Sequence, residues 1–313
     1  MVKNFKIYKN FNLLKRHKKS ILLIGNFDGL HLGHQKLFSL AKKYSIKYKA
    51  KIGVLTFDPL PKMFFNKNLS NYRITTNEQK NNLFKKAGVN FVVISNFNKK
   101  FSKIKSTNFI KNILHKKLNP KFIFVSNNFR YGFNREGDVK QLILNENFFD
   151  YKVVKPKPLL KKRKVVSSTL IRKLLQNGKL DKANKLLGRY WTIEGKVKQG
   201  RKVGKKLGFP TCNIDIKKYI LAKPGVYSVK VRASNYKKKL KGIANLGYRP
   251  TFNGKKILLE VNLFNFSGNL YNKSLSVSFC SFIRKEKKFK NLDDLVQQIK
   301  KDLKQANIDL KKI

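Results

Sequence analysis

Two histidines three residues apart, His31 and His34, end the run Gly25-Asn26-Phe27-Asp28-Gly29-Leu30-His31-Leu32-Gly33-His34. Imidazoles donate to phosphate oxygens, and glycine lets backbone N–H groups reach the same oxygens, so the combination suits a nucleoside triphosphate. Residues 20–25 form a short apolar run of the buried-strand kind, and residues 35–50 place Leu37, Leu40, Ala41 and Tyr44 on one helical face. A strand, a turn and a helix therefore follow in order, and the helix N-terminus adds partial positive charge where the phosphates would lie. On this reading Gly25, Phe27, Asp28, Gly29 and Gly33 make the triphosphate cradle, Asn26 and Asp28 shape its turn, and His31 and His34 act on one phosphate chain. Asp28 suits ligand contact or helix capping equally well. Two solvated loop histidines beside a tight turn are the plainer alternative.

Chemistry could also reside at three later places. Val166-Ser167-Ser168-Thr169-Leu170-Ile171-Arg172 brings hydroxyls and a guanidinium to the start of another helical pattern. Residues 195–213 form a glycine-punctuated basic loop, with Gly200, Gly204, Lys205 and Gly208, that ends in Pro210-Thr211-Cys212-Asn213. Taken alone this is weak, because turns in any small β domain use glycine and lysine. Glu260, one of six glutamates, sits in an alternating strand pattern, where a carboxylate needs either a chemical reason or a salt bridge to one of many lysines.

The first of these motifs resembles the HxGH signature of the nucleotidyltransferase superfamily, and Ser168, Thr169 and Arg172 fall where that superfamily has its second phosphate-binding motif. With Thr56-Phe57-Asp58-Pro59 and Asn127-Asn128-Phe129-Arg130-Tyr131-Gly132 between them, the first half resembles the adenylyltransferase half of bacterial bifunctional riboflavin kinase/FAD synthetases. The later half is similar to the riboflavin kinase domain of the same family. The glycine loop, residues 223–227, residues 244–252 and residues 259–263 match it in order, so the resemblance covers nearly the whole chain.

The resemblance implies a Rossmann-like α/β nucleotidyltransferase domain with a parallel sheet at residues 1–184. A small antiparallel β-barrel with a C-terminal helix follows at residues 185–313. It implies phosphorylation of riboflavin to FMN, then adenylylation of FMN to FAD, with ATP as co-substrate and Mg²⁺ as cofactor. His31, His34 and Arg172 would act in catalysis, with Ser168 and Thr169 holding the leaving pyrophosphate. Asn128, Phe57, Asp58 and Arg284 would contact flavin. Gly200, Gly204, Lys205, Gly208 and Pro210 would hold ATP phosphates, Thr211 and Asn213 the metal, and Glu260 would be the catalytic base. Several residues depart from the family pattern: Leu60 replaces a histidine, Ser126 a glycine, Lys205 an arginine and Cys212 an alanine. Asn262, Asn265 and Asn269 stand where His or Asp would be expected.

The elements that must position these residues are legible in outline. Strand patterns at residues 21–25, 52–57, 91–95, 122–126 and 151–154 alternate with helical patterns at 35–50, 78–87 and 107–118, which implies a parallel sheet with ligands at its C-terminal edge. Residues 155–164 read as a mobile loop, followed by a helix carrying Leu170, Leu174 and Leu175. Beyond Tyr190, short period-two strands at 227–232, 257–264 and 275–282 imply the barrel, and Leu292, Leu295, Val296, Ile299 and Leu303 form an apolar stripe on a final helix at 291–306.

A chain of 313 residues with 41% hydrophobic content suffices for two ordinary domains. Its formal charge of +56 raises nucleic acid as a partner, but the 72 basic residues are spread throughout, alongside abundant Asn, Ile and Phe, so no dedicated nucleic-acid partner is expected. The lysine-rich N-terminus lacks a secretory or membrane-spanning apolar run, and a cytoplasmic protein is expected. Cys212 and Cys280 have no metal-binding or disulfide spacing. A flavin enzyme with one inactive module and a basic nucleic-acid-binding protein stay open as alternatives; the oligomeric state is open as well.

Overall fold

The computed structural model describes residues 4–69, 71–199, 204, 207–234, 236, 238–251 and 254–313, with backbone alone at 249–251 and 254–256. The chain divides into two compact units, Met1–Ser70 with Thr76–Ser167, and Asn71–Thr75 with Ser168–Ile313.

In the first unit, strands β1 (Lys6–Tyr8), β2 (Ile21–Ile24), β3 (Ile52–Asp58), β4 (Phe91–Asn96) and β5 (Phe122–Phe124) join a later strand, Lys152–Val154, in one sheet. Between them β6 (Arg130–Tyr131) pairs with β7 (Gly137–Asp138), so the later strand is β8. The six-stranded order is β1-β4-β3-β2-β5-β8, and every pairing is parallel. Helices α1 (Leu32–Lys47), α2 (Pro61–Phe65), α3 (Asn77–Lys86), α4 (Lys99–Ser102), α5 (Ser106–Asn108) and α6 (Val139–Leu144) connect the strands, and a π-helical stretch, Phe109–Leu118, continues α5.

The strand sequences explain this architecture. All of β2 is buried, as parallel strands covered on both faces require. Its side chains alternate between two cores. Ile21 and Leu23 join Ile52 and Val54 of β3 under Phe38 and Ala41 of α1 and Phe84 of α3. Leu22 and Ile24 join Leu55 and Phe57 under Phe109, Ile113 and Leu114 of the π-helical stretch. Gly53 is needed because a Cβ there would enter the Phe91 ring. With β3 on one side of β2 and β5 on the other, the C-terminal ends of β2 and β5 flank a topological switch point, the usual ligand crevice of such sheets.

All five strands and three helices read from the sequence in this half are present, and β1 is an addition. The segment at 155–164 is more ordered than the loop expected. β9 (Leu160–Lys161) pairs antiparallel with β10 (Lys164–Val165), and the intervening Lys162 and Arg163 both take positive φ, as a tight two-residue hairpin demands.

The second unit opens with α7 (Ser168–Gln176) and α8 (Leu180–Leu187). Strands β11 (Trp191–Lys198), β12 (Cys212–Asp215), β13 (Gly225–Ala233), β14 (Leu240–Thr251), β15 (Gly254–Leu263) and β16 (Ser274–Arg284) close an antiparallel barrel in the order β11-β12-β15-β14-β13-β16. Its interior takes Ile214, Ala244, Leu246, Leu259, Val261, Val277 and Phe279, with Ile171 and Leu175 of α7 in the same core. The short segment Asn71–Thr75 belongs to this unit. The Asn71 amide donates to the carbonyls of Ile216 and Tyr219, the Ile220 N–H to the Arg73 carbonyl, and the Trp191 indole to the Ile74 carbonyl at 3.1 Å.

The final helix, α9 (Leu292–Lys311), starts at Asn291, whose side chain accepts from the Asp294 N–H. It extends beyond residue 306, and its buried face differs from the expected stripe. Leu292 is 62% exposed, while Asp302, Ala306 and Leu310 are buried and Leu303 packs with Val226 and Ile243 on the outside of the barrel. Asp302 is paired: both its oxygens accept from Arg284, at 2.7 to 2.9 Å, and Gln298 donates to it at 2.9 Å.

Removing one partner of such a pair leaves the other charge buried. Asp302→Ala should therefore destabilise the second unit by about 3 kcal/mol. Urea denaturation should show it, and the double change Asp302→Leu with Arg284→Met should recover most of the loss.

Candidate active sites

The first site forms at the C-terminal end of β2. Between β2 and α1 the backbone turns with Phe27, Gly29 and Leu30 all in the left-handed region, at φ of 48°, 80° and 36°. For phenylalanine and leucine that conformation costs about 1–2 kcal/mol. Burial offsets it: both side chains are in the core, and the Phe27 ring meets Phe38, Phe84 and His34 edge-on at 5.2, 5.9 and 5.1 Å. Gly25 contributes no free N–H to a ligand, because its amide donates to the Leu55 carbonyl within the sheet.

His31 takes the capping role that the sequence left open for Asp28. Its Nδ1 accepts from the His34 N–H at 3.4 Å, and the two imidazoles stack with centroids 3.7 Å apart. Asp28 is itself buried in the turn. A Cβ at Gly33 would come within 3.2 Å of the His31 ring and 3.1 Å of the Val166 carbonyl. The first turn of α1 carries no acidic residue, so its positive end is not neutralised from within. His34 Nδ1 is buried without a hydrogen-bond partner, and desolvation, followed by His31 and Lys80, holds this imidazole well below its ordinary pKa of 6.5. A neutral His34 stacked on His31, at the start of a helix whose own first turn carries no acid, suits an anion.

Three of the residues expected to meet flavin lie at or beyond the C-terminal ends of the neighbouring strands β3 and β5. Phe57 is buried with its ring 6.0 Å from Phe97 and 5.7 Å from Phe101, and the Asp58 carboxylate accepts from Asn77 at 2.6 Å. Asn128, beyond β5, is exposed, and its side-chain oxygen accepts from the Ser126 hydroxyl at 2.9 Å. The serine that departs from the family pattern thus holds the asparagine. Ser168, Thr169 and Arg172 lie on α7, in the second unit. There Arg172 is buried, its Nε donates to the Tyr72 carbonyl at 2.9 Å, and its guanidinium stacks 3.8 Å from the Tyr72 ring centre.

The second site is built by strand alternation. On β15, Leu259 and Val261 point into the barrel, so Glu260 and Asn262 point out. Register sets Asn213 of β12 and Asn245 of β14 on either side of Glu260, one polar residue per strand in a row. α9 packs against β13, β14 and β16, and its Leu295, Ile299 and Asp302 join this polar row in lining a cavity of about 460 Å³. Thr211, Asn213, Glu260, Arg284 and Gly204 all line it. Asn213 Oδ1 is buried with no hydrogen-bond partner, an arrangement suited to a hard cation. A Cβ at Gly204 would meet the Phe209 carbonyl at 2.5 Å, so only glycine fits there. Gly208 and Pro210 do not line the cavity; the Pro210 carbonyl accepts from Asn262 at 2.8 Å, which gives that departure from the family pattern a structural reason. Gly200 and Lys205 lie outside the described residues.

Sequence reasoning missed Asn245, Glu286 and Asp302, which share this cavity. Glu286 lies against Gly247, and burial, with a contribution from Glu260, raises its pKa. The scarcity of acids was the available signal: with 16 against 72 basic residues, each carboxylate near a ligand motif is a candidate for the site. Arg284 lines the cavity with its guanidinium already committed to Asp302 and to the Lys285 carbonyl.

Comparison with known proteins finds relatives for both halves of the chain. The FAD synthetase family model matches residues 13–170 and the riboflavin kinase family model residues 187–310. A bifunctional riboflavin kinase/FMN adenylyltransferase of Buchnera aphidicola subsp. Schizaphis graminum is 42% identical over 295 residues, covering 93% of this chain and 94% of its own. One from Haemophilus influenzae is 36% identical over 285 residues, covering 91% and 92%. A crystal structure from Streptococcus pneumoniae, named a macrolide-efflux protein, superposes with a TM-score of 0.85 at 28% identity, covering 96% of this chain and 97% of its own. No described helix of this chain is long and apolar enough to cross a membrane. Two matched modules in one polypeptide, and relatives that match nearly its whole length, place the chain in the family of bifunctional riboflavin kinase/FMN adenylyltransferases.

Proposed function

We propose that this chain makes FAD from riboflavin in two ATP-dependent steps, with residues 185–313 forming FMN and residues 1–184 adenylylating it. The observation that carries the kinase step is the row of Asn213, Glu260 and Asn245 facing one cavity. Glu260 accepts the proton of the terminal ribityl hydroxyl as that oxygen bonds to the γ-phosphorus of ATP and the bond to ADP breaks. Thr211 and Asn213 are the residues to hold Mg²⁺, supported by the unpartnered Asn213 oxygen. When bound, the ion offsets charge on the phosphates. Gly204 keeps the loop close enough for its backbone to approach them, and Gly200, Lys205, Gly208 and Pro210 belong to the same loop by resemblance.

In the second step a phosphate oxygen of FMN attacks the α-phosphorus of ATP and pyrophosphate leaves, so no enzyme nucleophile is required. His31 and His34 stabilise the charge that develops on the phosphates, a role supported by their stacking at the end of α1. Roles for Ser168, Thr169 and Arg172 on pyrophosphate, and for Asn128, Phe57, Asp58 and Arg284 on flavin, rest on the family resemblance. A cytoplasmic location fits small soluble substrates, and the dispersed basic charge fits no dedicated nucleic-acid partner.

His31→Ala should cut FAD formation by about 10²-fold or more while riboflavin is still converted to FMN. Conversely, Glu260→Gln should lower FMN formation by about 10²–10⁴-fold while added FMN is still adenylylated. Chromatography of the products separates these outcomes, and a folded variant that loses both activities would overturn the division of labour.

His34 also makes stability depend on pH. The folded state binds this proton less readily than the unfolded chain, whose histidine titrates near 6.5, so the contribution is complete above pH 6.5 and is lost as pH falls below it. Denaturation of His34→Gln alongside the parent should show a shallower loss of stability below pH 6.5.

A further inference from the structure

Lys80 has no part in the two reactions as described, yet it is placed with more care than any other lysine near the first site. The capping box of Thr76 and Gln79 fixes the start of α3, with the Gln79 N–H donating to the Thr76 hydroxyl and the Thr76 N–H to the Gln79 side chain. The next residue, Lys80, turns inward and is only 2% exposed, in a chain whose lysines are otherwise largely at the surface. Its ammonium donates to the Thr56 hydroxyl at 3.0 Å and to the Asn26 carbonyl at 3.3 Å, and the Thr56 hydroxyl donates to that carbonyl as well, at 3.3 Å. Thr56 lies near the C-terminal end of β3, and Asn26 follows β2 and immediately precedes the left-handed Phe27.

We propose that Lys80 is a positioning residue for adenylyl transfer, its ammonium clamping the Asn26 carbonyl and the Thr56 hydroxyl so that the turn bearing His31 and His34 is fixed before ATP binds. This rests on the reading of that turn as the ATP site. A buried cation is expensive to desolvate, and an apolar side chain of similar length would fill the same space, so packing alone does not call for lysine here. A fixed positive charge beneath a polyphosphate site does call for it, because charge interactions are strongest where water is excluded. The titratable groups that bear on His34 are His31, from its own turn, and Lys80, from α3, and both oppose its protonation. Lys80 thereby adds to the desolvation that disfavours a proton on His34.

The test compares Lys80→Met, Lys80→Arg and Thr56→Val in the full chain, with riboflavin phosphorylation as the internal control of folding. Lys80→Met should lower kcat for FAD formation tenfold or more and raise KM for ATP in that step, leaving FMN formation within twofold. Its His34 resonances should titrate at higher pH than in the parent, and Lys80→Arg should recover part of the rate. Thr56→Val, which keeps the charge but removes one arm of the clamp, should lower kcat less and leave the His34 titration in place. Unchanged kinetics and an unchanged His34 titration in Lys80→Met would overturn the proposal; should that variant not fold, unchanged kinetics in Thr56→Val would do so. A parent protein that makes FMN but no FAD would instead overturn the reading of the ATP site itself.

Discussion

The burial of Phe27 is the constraint on which the first site depends. Its backbone conformation is unfavourable, yet a fully buried phenylalanine gains about 1.5–3 kcal/mol from leaving water, and edge-on ring contacts add to that. Packing therefore outweighs strain, and the turn has no cheaper way to place its side chain. Once Phe27 is seated between α1 and α3, His34 is held against its ring, His31 is brought into stacking range, and the Asn26 carbonyl is directed toward Lys80. The chemistry of the turn is a by-product of where one aromatic ring can go.

The second unit solves a different problem by different means. A six-stranded barrel must fill its interior with apolar side chains, which leaves every second residue facing outward. Across most of a barrel those outward residues meet water. Here α9 packs over β13, β14 and β16, and together with the outward faces of β12 and β15 it borders a cavity that takes the polar row of Asn213, Glu260 and Asn245. The Arg284–Asp302 pair and the small apolar cluster of Val226, Ile243 and Ala306 hold the helix against β13, β14 and β16. A half-exposed strand carboxylate thus becomes a group in a bounded cavity.

Much of this was legible in the chain because it rests on local periodicity. The β2 and β3 runs, the α1 face and the alternating barrel strands announce themselves by pattern, and His31, His34, Thr211, Asn213 and Glu260 stand in motifs whose residue types suit phosphates and cations. What escaped has tertiary causes. Asp302 lies between Ile299 and Leu303 in an otherwise apolar stripe, and its partner Arg284 is on a different element. Lys80 follows Asn77, Glu78 and Gln79 in a polar run that reads as a solvated helix face, and only the packing of α3 turns it inward. Leu292 fits the helical period but lies beyond the edge of the surface that α9 covers. Asn71–Thr75 carries no composition shift to announce which core it serves.

That last segment bears on how the polypeptide is made. The chain leaves the first compact unit after Ser70, contributes Ile74 to the core of the other, returns at Thr76, and departs again only at Ser168. During synthesis those residues leave the ribosome long before the barrel that will receive them. A gene cut between the two family matches would yield a downstream fragment without the carbonyls that Trp191 and Ile220 bond to. The two enzymes are therefore bound together by folding as well as by a shared substrate, which gives natural selection a reason to resist their fission.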